Sequence, residues 1–87
     1  MHKMTVQVAL PEISQEFHKA HKHLIKKIGG ADFIVRKSEF LKIHHLDVLR
    51  DAWIENYNIK IVENDRGWSG LEFVDEKQYT YFLLKWS

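Results

Sequence analysis

Cysteine is absent from the chain, which excludes a disulfide frame and a thiolate zinc site and permits a reducing compartment. Proline occurs once, as Pro11, and glycine four times. No linker, internal repeat or low-complexity tract is visible. No apolar run approaches the roughly 20 residues that cross a membrane, and the start lacks the apolar stretch of a signal peptide. A soluble, cytoplasmic protein with no membrane partner is the expectation. Net charge is nearly missing too, at +1, and by itself that value excludes no partner.

What is present suffices for a core. The 87 residues are 45% hydrophobic and 13% aromatic, and a chain of this length buries roughly 60% of its unfolded surface. A single compact domain over residues 1–87 is expected, without staples. The charge is unevenly spread. Residues 1–45 hold eight Lys and Arg against four Asp and Glu, with all six histidines, whereas residues 46–87 hold five against eight. The two halves therefore carry +4 and −3, and the asymmetry grows as histidines charge below neutral pH.

The stretch from Pro11 to Ile28 carries the clearest packing instruction. Ile13, Phe17, Ala20, Leu24 and Ile28 recur at helical steps and fall on one stripe. Gln15, His18, Lys19, Lys22 and Lys26 fall opposite, with His23 at the edge. Pro11, Glu12 and Glu16 suit the start of a helix, Lys26 and Lys27 its end, and Gly29-Gly30 a left-handed stop. Before it, Met4, Val6, Val8 and Leu10 alternate as a strand. After it, Phe33-Ile34-Val35 reads as a second, short strand.

For residues 37–45 a helix capped by Ser38 is preferred over a hairpin through Lys37-Ser38. Leu46, Leu49, Trp53 and Tyr57 then mark a helix ending at Asn58, with Asp47, Asp51 and Glu55 as an acidic column. Ile59–Glu63 and Leu71–Val74 pair as a hairpin across the turn residues Asn64-Asp65-Arg66-Gly67. Asp75 and Gln78 form a capping box, Val74 and Tyr79 have staple spacing, and Tyr79, Phe82, Leu83 and Trp86 make the last apolar stripe. The expected class is α+β. A small three- to four-stranded antiparallel or mixed sheet should carry three helices on one side, in the order β-α-β-α-β-β-α.

The run Gly70-Leu71-Glu72-Phe73-Val74-Asp75-Glu76-Lys77, closing with Phe82-Leu83-Leu84-Lys85-Trp86, resembles the C-terminal signature of small accessory proteins of T-even-like tailed phages. It covers about a third of the chain, and Gln78-Tyr79 stands where Asp-Ala is usual in that group. The resemblance implies a host-takeover protein acting in the host cytoplasm. Such proteins bind and redirect host machinery or blunt defences such as toxin–antitoxin systems.

Among chemical constellations, an anion-binding surface is the best supported. Lysines three and four apart on a helix repel by a few tenths of a kcal/mol each, and an anionic partner reverses that sign. Lys19, Lys22 and Lys26 supply cations for phosphates, flanked by His18 and His23, with Arg36, Lys37 and Lys42 extending the set past the glycines. His44, His45 and Trp68 could stack on bases, although a hairpin tryptophan more often folds onto its sheet. No recognition helix, RNP-type strand or KH-type loop is present, so backbone charge and shape would drive binding, with RNA favoured over duplex DNA.

The alternative is a protein-binding inhibitor without nucleic acid. It would dock on an acidic host protein, or pair head-to-tail as a homodimer through the opposite charges of the two halves. No enzyme activity, cofactor or metal is expected. Ser14, Ser38, Ser69 and Ser87 lie in no elbow-like setting, and Gly67-x-x-Gly70 opens no helix as a phosphate loop would. His18 and His21 are helical neighbours, yet no carboxylate accompanies them at a ligand spacing.

Overall fold

The computed structural model describes residues 4–87; residues 1–3 of the expected domain lie outside it. Strand β1 spans Val6–Ala9, and a 3₁₀ turn, Leu10–Ile13, opens on Pro11 and leads into helix α1, Ser14–Ile28. The stripe read from sequence is the one buried. Ile13, Ala20 and Leu24 are buried, and Phe17 and Ile28 pack half-buried against the same cluster. Gly29 stops the helix at φ +120°, its N–H closing onto the carbonyls of Ile25 and Lys26. A side chain there would strain the backbone and meet Phe33 Cβ at 2.9 Å.

Beyond Gly29 the structure departs from the expected order. Phe33-Ile34-Val35 is not a strand but lies within helix α2, Gly30–Leu41. Ile34 is buried while Phe33 and Val35 are 42% and 50% exposed. That single inward residue docks on Val48 and Leu49 in a small second cluster. A three-residue apolar run carries no period of its own, so its neighbours decide its conformation. Ser38 caps nothing; from inside α2 its hydroxyl donates back to the Val35 carbonyl at 2.8 Å.

Lys42 ends α2 at φ +56°. His44 then begins helix α3, His45–Tyr57, its Nδ1 accepting the Leu46 N–H at 3.1 Å. Residues 37–45 are therefore the end of one helix and the start of another, not one continuous element.

The remaining elements come in the expected order, but the second hairpin strand starts at Gly67 rather than Leu71, because Gly67 and Trp68 already pair with Asn64 and Glu63. Asn58 terminates α3 in the left-handed region at φ +56°, a conformation asparagine tolerates. Strands β2, Lys60–Asn64, and β3, Gly67–Phe73, form the hairpin, and helix α4 spans Glu76–Trp86. Asp75 Oδ1 accepts the Gln78 N–H at 2.8 Å, and Gln78 Oε1 accepts the Val74 N–H. The Gln78 amide nitrogen also donates to the carbonyls of Tyr57 and Asn58, both at 3.1 Å. One side chain thus caps α4 and ties it to the end of α3.

Among the described residues the fold is α+β, with four α-helices and one three-stranded antiparallel sheet ordered β1-β3-β2. Val8 and Ile61 both lie opposite Leu71, and all three are buried beneath the helices with Phe73, Trp53 and Phe82. The other sheet face presents Gln7, Glu72 and Lys60, with Gln7 donating to Glu72 at 2.8 Å. Arg50 ties α3 to β2 by pairing with Glu63 at 3.2 Å, while Asp47 of its own helix meets it at 3.0 Å.

Gly70 sits mid-strand in β3, between Ala9 and Val62. A Cβ there would lie 2.6 Å from the Val8 carbonyl oxygen, a backbone atom that cannot yield alone. Gly70→Ala is expected to destabilise the domain by about 1–3 kcal/mol, since overpacking forces backbone shifts of that cost. A chemical denaturation midpoint equal to that of the wild type would contradict this close approach.

Candidate nucleic-acid interface

Burial of one side of α1 dictates the other. With about 3.6 residues per turn, fixing Ala20 and Leu24 inward turns Lys19, Lys22 and Lys26 outward, and all three are exposed. His18, His23 and Lys27 are exposed on the same helix. Among the described residues, the ion pairs are those of Arg50. The α1 lysines therefore have no carboxylate partner there. Glu12 and Glu16 stand at the opposite end of the helical segment from Lys26 and Lys27.

The histidines divide by role. His18 is exposed and lines a hollow of about 490 Å³ with Ser14, Phe17, Asn64, Arg66 and Trp68. The ring of His23 lies 5.3 Å from that of Trp86, linking the charged face to α4. His44 caps α3, and its ring lies 4.1 Å from that of His45. His21 is turned inward. Its Nδ1 accepts the indole N–H of fully buried Trp53 at 3.1 Å, and its ring stacks on Phe17 at 5.3 Å. Burial, and secondarily the charge of His18, hold its pKa below the ordinary histidine value.

Trp68 is folded inward rather than offered to solvent. It meets Phe17 and His21 edge-on at 6.1 and 5.6 Å and bridges both apolar clusters. Its buried Nε1 has no hydrogen-bond partner among the described residues.

The second group of cations lies on α2. Arg36 is exposed on α2, Lys37 Nζ lies 5.8 Å above the Phe33 ring, and Lys42 is exposed at the end of that helix. Sequence reasoning passed over Tyr81 and Lys85. Both project from α4 close to Trp86, with Lys85 Nζ 6.0 Å from the Tyr81 ring and 5.3 Å from the Trp86 ring. Their four-residue spacing was the available signal.

The His21–Trp53 bond makes stability depend on pH with a definite sign. Folded His21 takes up a proton less readily than the unfolded chain, whose histidine titrates near pH 6.5. Its contribution is complete above that value and declines as pH falls through and below it. His21→Gln keeps an acceptor without titrating, so its urea midpoint should fall less than that of the wild type between about pH 7.5 and 5. His21→Leu should cost about 1–3 kcal/mol even at neutral pH, because the Trp53 N–H loses its acceptor. Parallel pH profiles for the wild type and the glutamine variant would show that His21 is not the titrating group.

Comparison with known proteins returned no matching protein family, no matching curated relative and no matching solved structure.

Proposed function

We propose that this protein binds nucleic acid, RNA in preference to duplex DNA, through the outward face of α1. The carrying observation is that Lys19, Lys22 and Lys26 are exposed with no carboxylate partner among the described residues. Like charges held at three- and four-residue spacing lose their mutual repulsion when phosphates replace counterions. His18 and His23 flank the lysines with planar donors suited to unpaired bases. The face holds no arginine, asparagine or paired glutamines that would read base edges in a groove, so contacts to the backbone dominate.

Arg36, Lys37 and Lys42 form a second set of contacts on α2 for a strand long enough to reach it. With the likeness of the closing hairpin and helix to phage accessory proteins, this reading describes a regulator or counter-defence factor in the cytoplasm of an infected host. The activity is binding, without catalysis or a cofactor.

A second reading rests on a separate observation. Asp51 and Glu55 are exposed on α3 and unpaired among the described residues, so the surface also carries an acidic strip. An inhibitor that docks on a host protein, or a head-to-tail homodimer, would use both signs of charge. Pull-down from bacterial lysate with and without nuclease separates the readings, because a partner captured through RNA is lost on digestion.

Changing Lys19, Lys22 and Lys26 together to Glu is expected to abolish most RNA binding. For the wild type, affinity should fall steeply with salt, each lysine that neutralises a phosphate adding about 0.7 to the logarithmic slope on a single strand. Fluorescence anisotropy of a labelled RNA across a salt series measures both. Equal affinities, or a wild-type affinity indifferent to salt, would remove the proposal.

A further inference from the structure

The end of α3 and helix α4 border a hollow of about 300 Å³, whose lining includes Asn56, Tyr57, Tyr81, Phe82, Lys85 and Trp86. This is the small end of the range for ligand pockets, and its composition is typical of them: mostly aromatic and apolar wall with a few polar groups. Tyr57, Tyr81, Phe82 and Trp86 make its aromatic wall. The Tyr57 and Trp86 rings lie 6.1 Å apart at 60°, and Tyr81 is 64% exposed at the rim.

The walls are held in place from behind. The Tyr57 hydroxyl donates to the Ala20 carbonyl at 3.1 Å, and Gln78 fixes the start of α4 on the carbonyls of Tyr57 and Asn58. The Asn56 amide nitrogen donates to the Ala52 carbonyl at 2.9 Å, whereas its carbonyl oxygen accepts no bond among the described residues. Lys85 spans the opening between the Tyr81 and Trp86 rings.

The surroundings specify the sign of the occupant. Trp86 is a wall of the hollow and also touches His23, which sits between Lys19 and Lys26 on α1. An anionic, planar guest here would meet the Lys85 ammonium beside the Tyr81 and Trp86 rings, and Trp86 in turn joins the hollow to His23 of the lysine-bearing helix. One chemistry combines those properties in a polymer: an unstacked nucleobase on its phosphate backbone.

We infer that this hollow receives a single flipped-out base of a bound strand, stacked against Tyr81 and Trp86, with the Asn56 carbonyl oxygen accepting from the base and Lys85 meeting the adjoining phosphate. The inference rests on the nucleic-acid reading above and narrows it to single-stranded or looped RNA. A paired base cannot enter the hollow without leaving its stack.

The test compares the full-length wild type with Tyr81→Ala, Tyr81→Phe and the triple lysine-to-Glu variant, using a labelled oligouridylate, a duplex RNA of the same length and a free ribonucleoside monophosphate. Tyr81 is exposed enough for its truncation to spare the fold, which circular dichroism checks. Loss of one stacked base lowers affinity on the order of tenfold. Tyr81→Ala should show that loss on oligouridylate and none on the duplex, while Tyr81→Phe binds as the wild type. The monophosphate should shift the Trp86 indole resonance in the wild type and not in Tyr81→Ala.

If Tyr81→Ala binds both RNAs as the wild type does while the triple variant fails, the base pocket is refuted and the lysine face stands. If the triple variant binds normally, the lysine-face reading falls. The pocket then survives only if the monophosphate still shifts Trp86 in a Tyr81-dependent way.

Discussion

One hydrogen bond governs how the molecule presents itself. Trp53 is fully buried, and its indole N–H is satisfied by Nδ1 of His21. A buried donor without a partner costs about 1–3 kcal/mol, which favours α1 lying against α3 with His21 facing inward. Phe17 follows, stacked on Trp53 at 5.2 Å, and the Tyr57 hydroxyl adds a second tie to the Ala20 carbonyl. With the rotation of α1 fixed at three neighbouring positions, its lysines have one direction left to point. The charged face is the reverse side of a polar contact in the core.

The same arrangement explains how the fold tolerates that charge. Helix α1 is held by the burial of Ile13, Ala20 and Leu24, and packing of this kind outweighs a few tenths of a kcal/mol of repulsion between lysines. The paired carboxylates lie elsewhere: Asp47 and Glu63 share Arg50, and the Glu63 pair fastens α3 to the hairpin. Beside the uncompensated lysines, α4 supplies aromatic rings and Lys85. Cations and stacking surfaces together are what an unpaired strand of nucleic acid requires.

Local signals were read correctly where the chemistry itself is local. The stop at Gly29, the end of α3 at Asn58, the hairpin turn and the Asp75–Gln78 cap each depend on a few adjacent residues. The stripe of α1 was legible because five positions repeat over four turns. Phe33-Ile34-Val35 was misread for the opposite reason. Three apolar residues fit a strand or a helix equally, and what made them helical was the seat that Val48 and Leu49 offer to Ile34 alone. Ser38 misled as a cap because its hydroxyl serves equally well bonded backward within a helix. The α1 half of the cationic set was visible as spacing, whereas Arg36, Lys37 and Lys42 belong to a second helix that begins beyond the left-handed stop at Gly29.

The sequence by itself settled which residues of α1 face inward, where α1 and α3 end, and that the lysines of α1 would share one side. Periodicity and capping are properties of neighbouring residues, and they need no knowledge of the fold. Only the tertiary structure decided that His21 is an acceptor for Trp53, that Trp68 lies inside, and that Asn56, Tyr81, Lys85 and Trp86 share one hollow. Those relations join residues distant in the chain, His21 with Trp53 32 positions away and with Trp68 farther still. They exist only because the crossing of α1, α3 and α4 over the sheet brings distant side chains to within bonding distance.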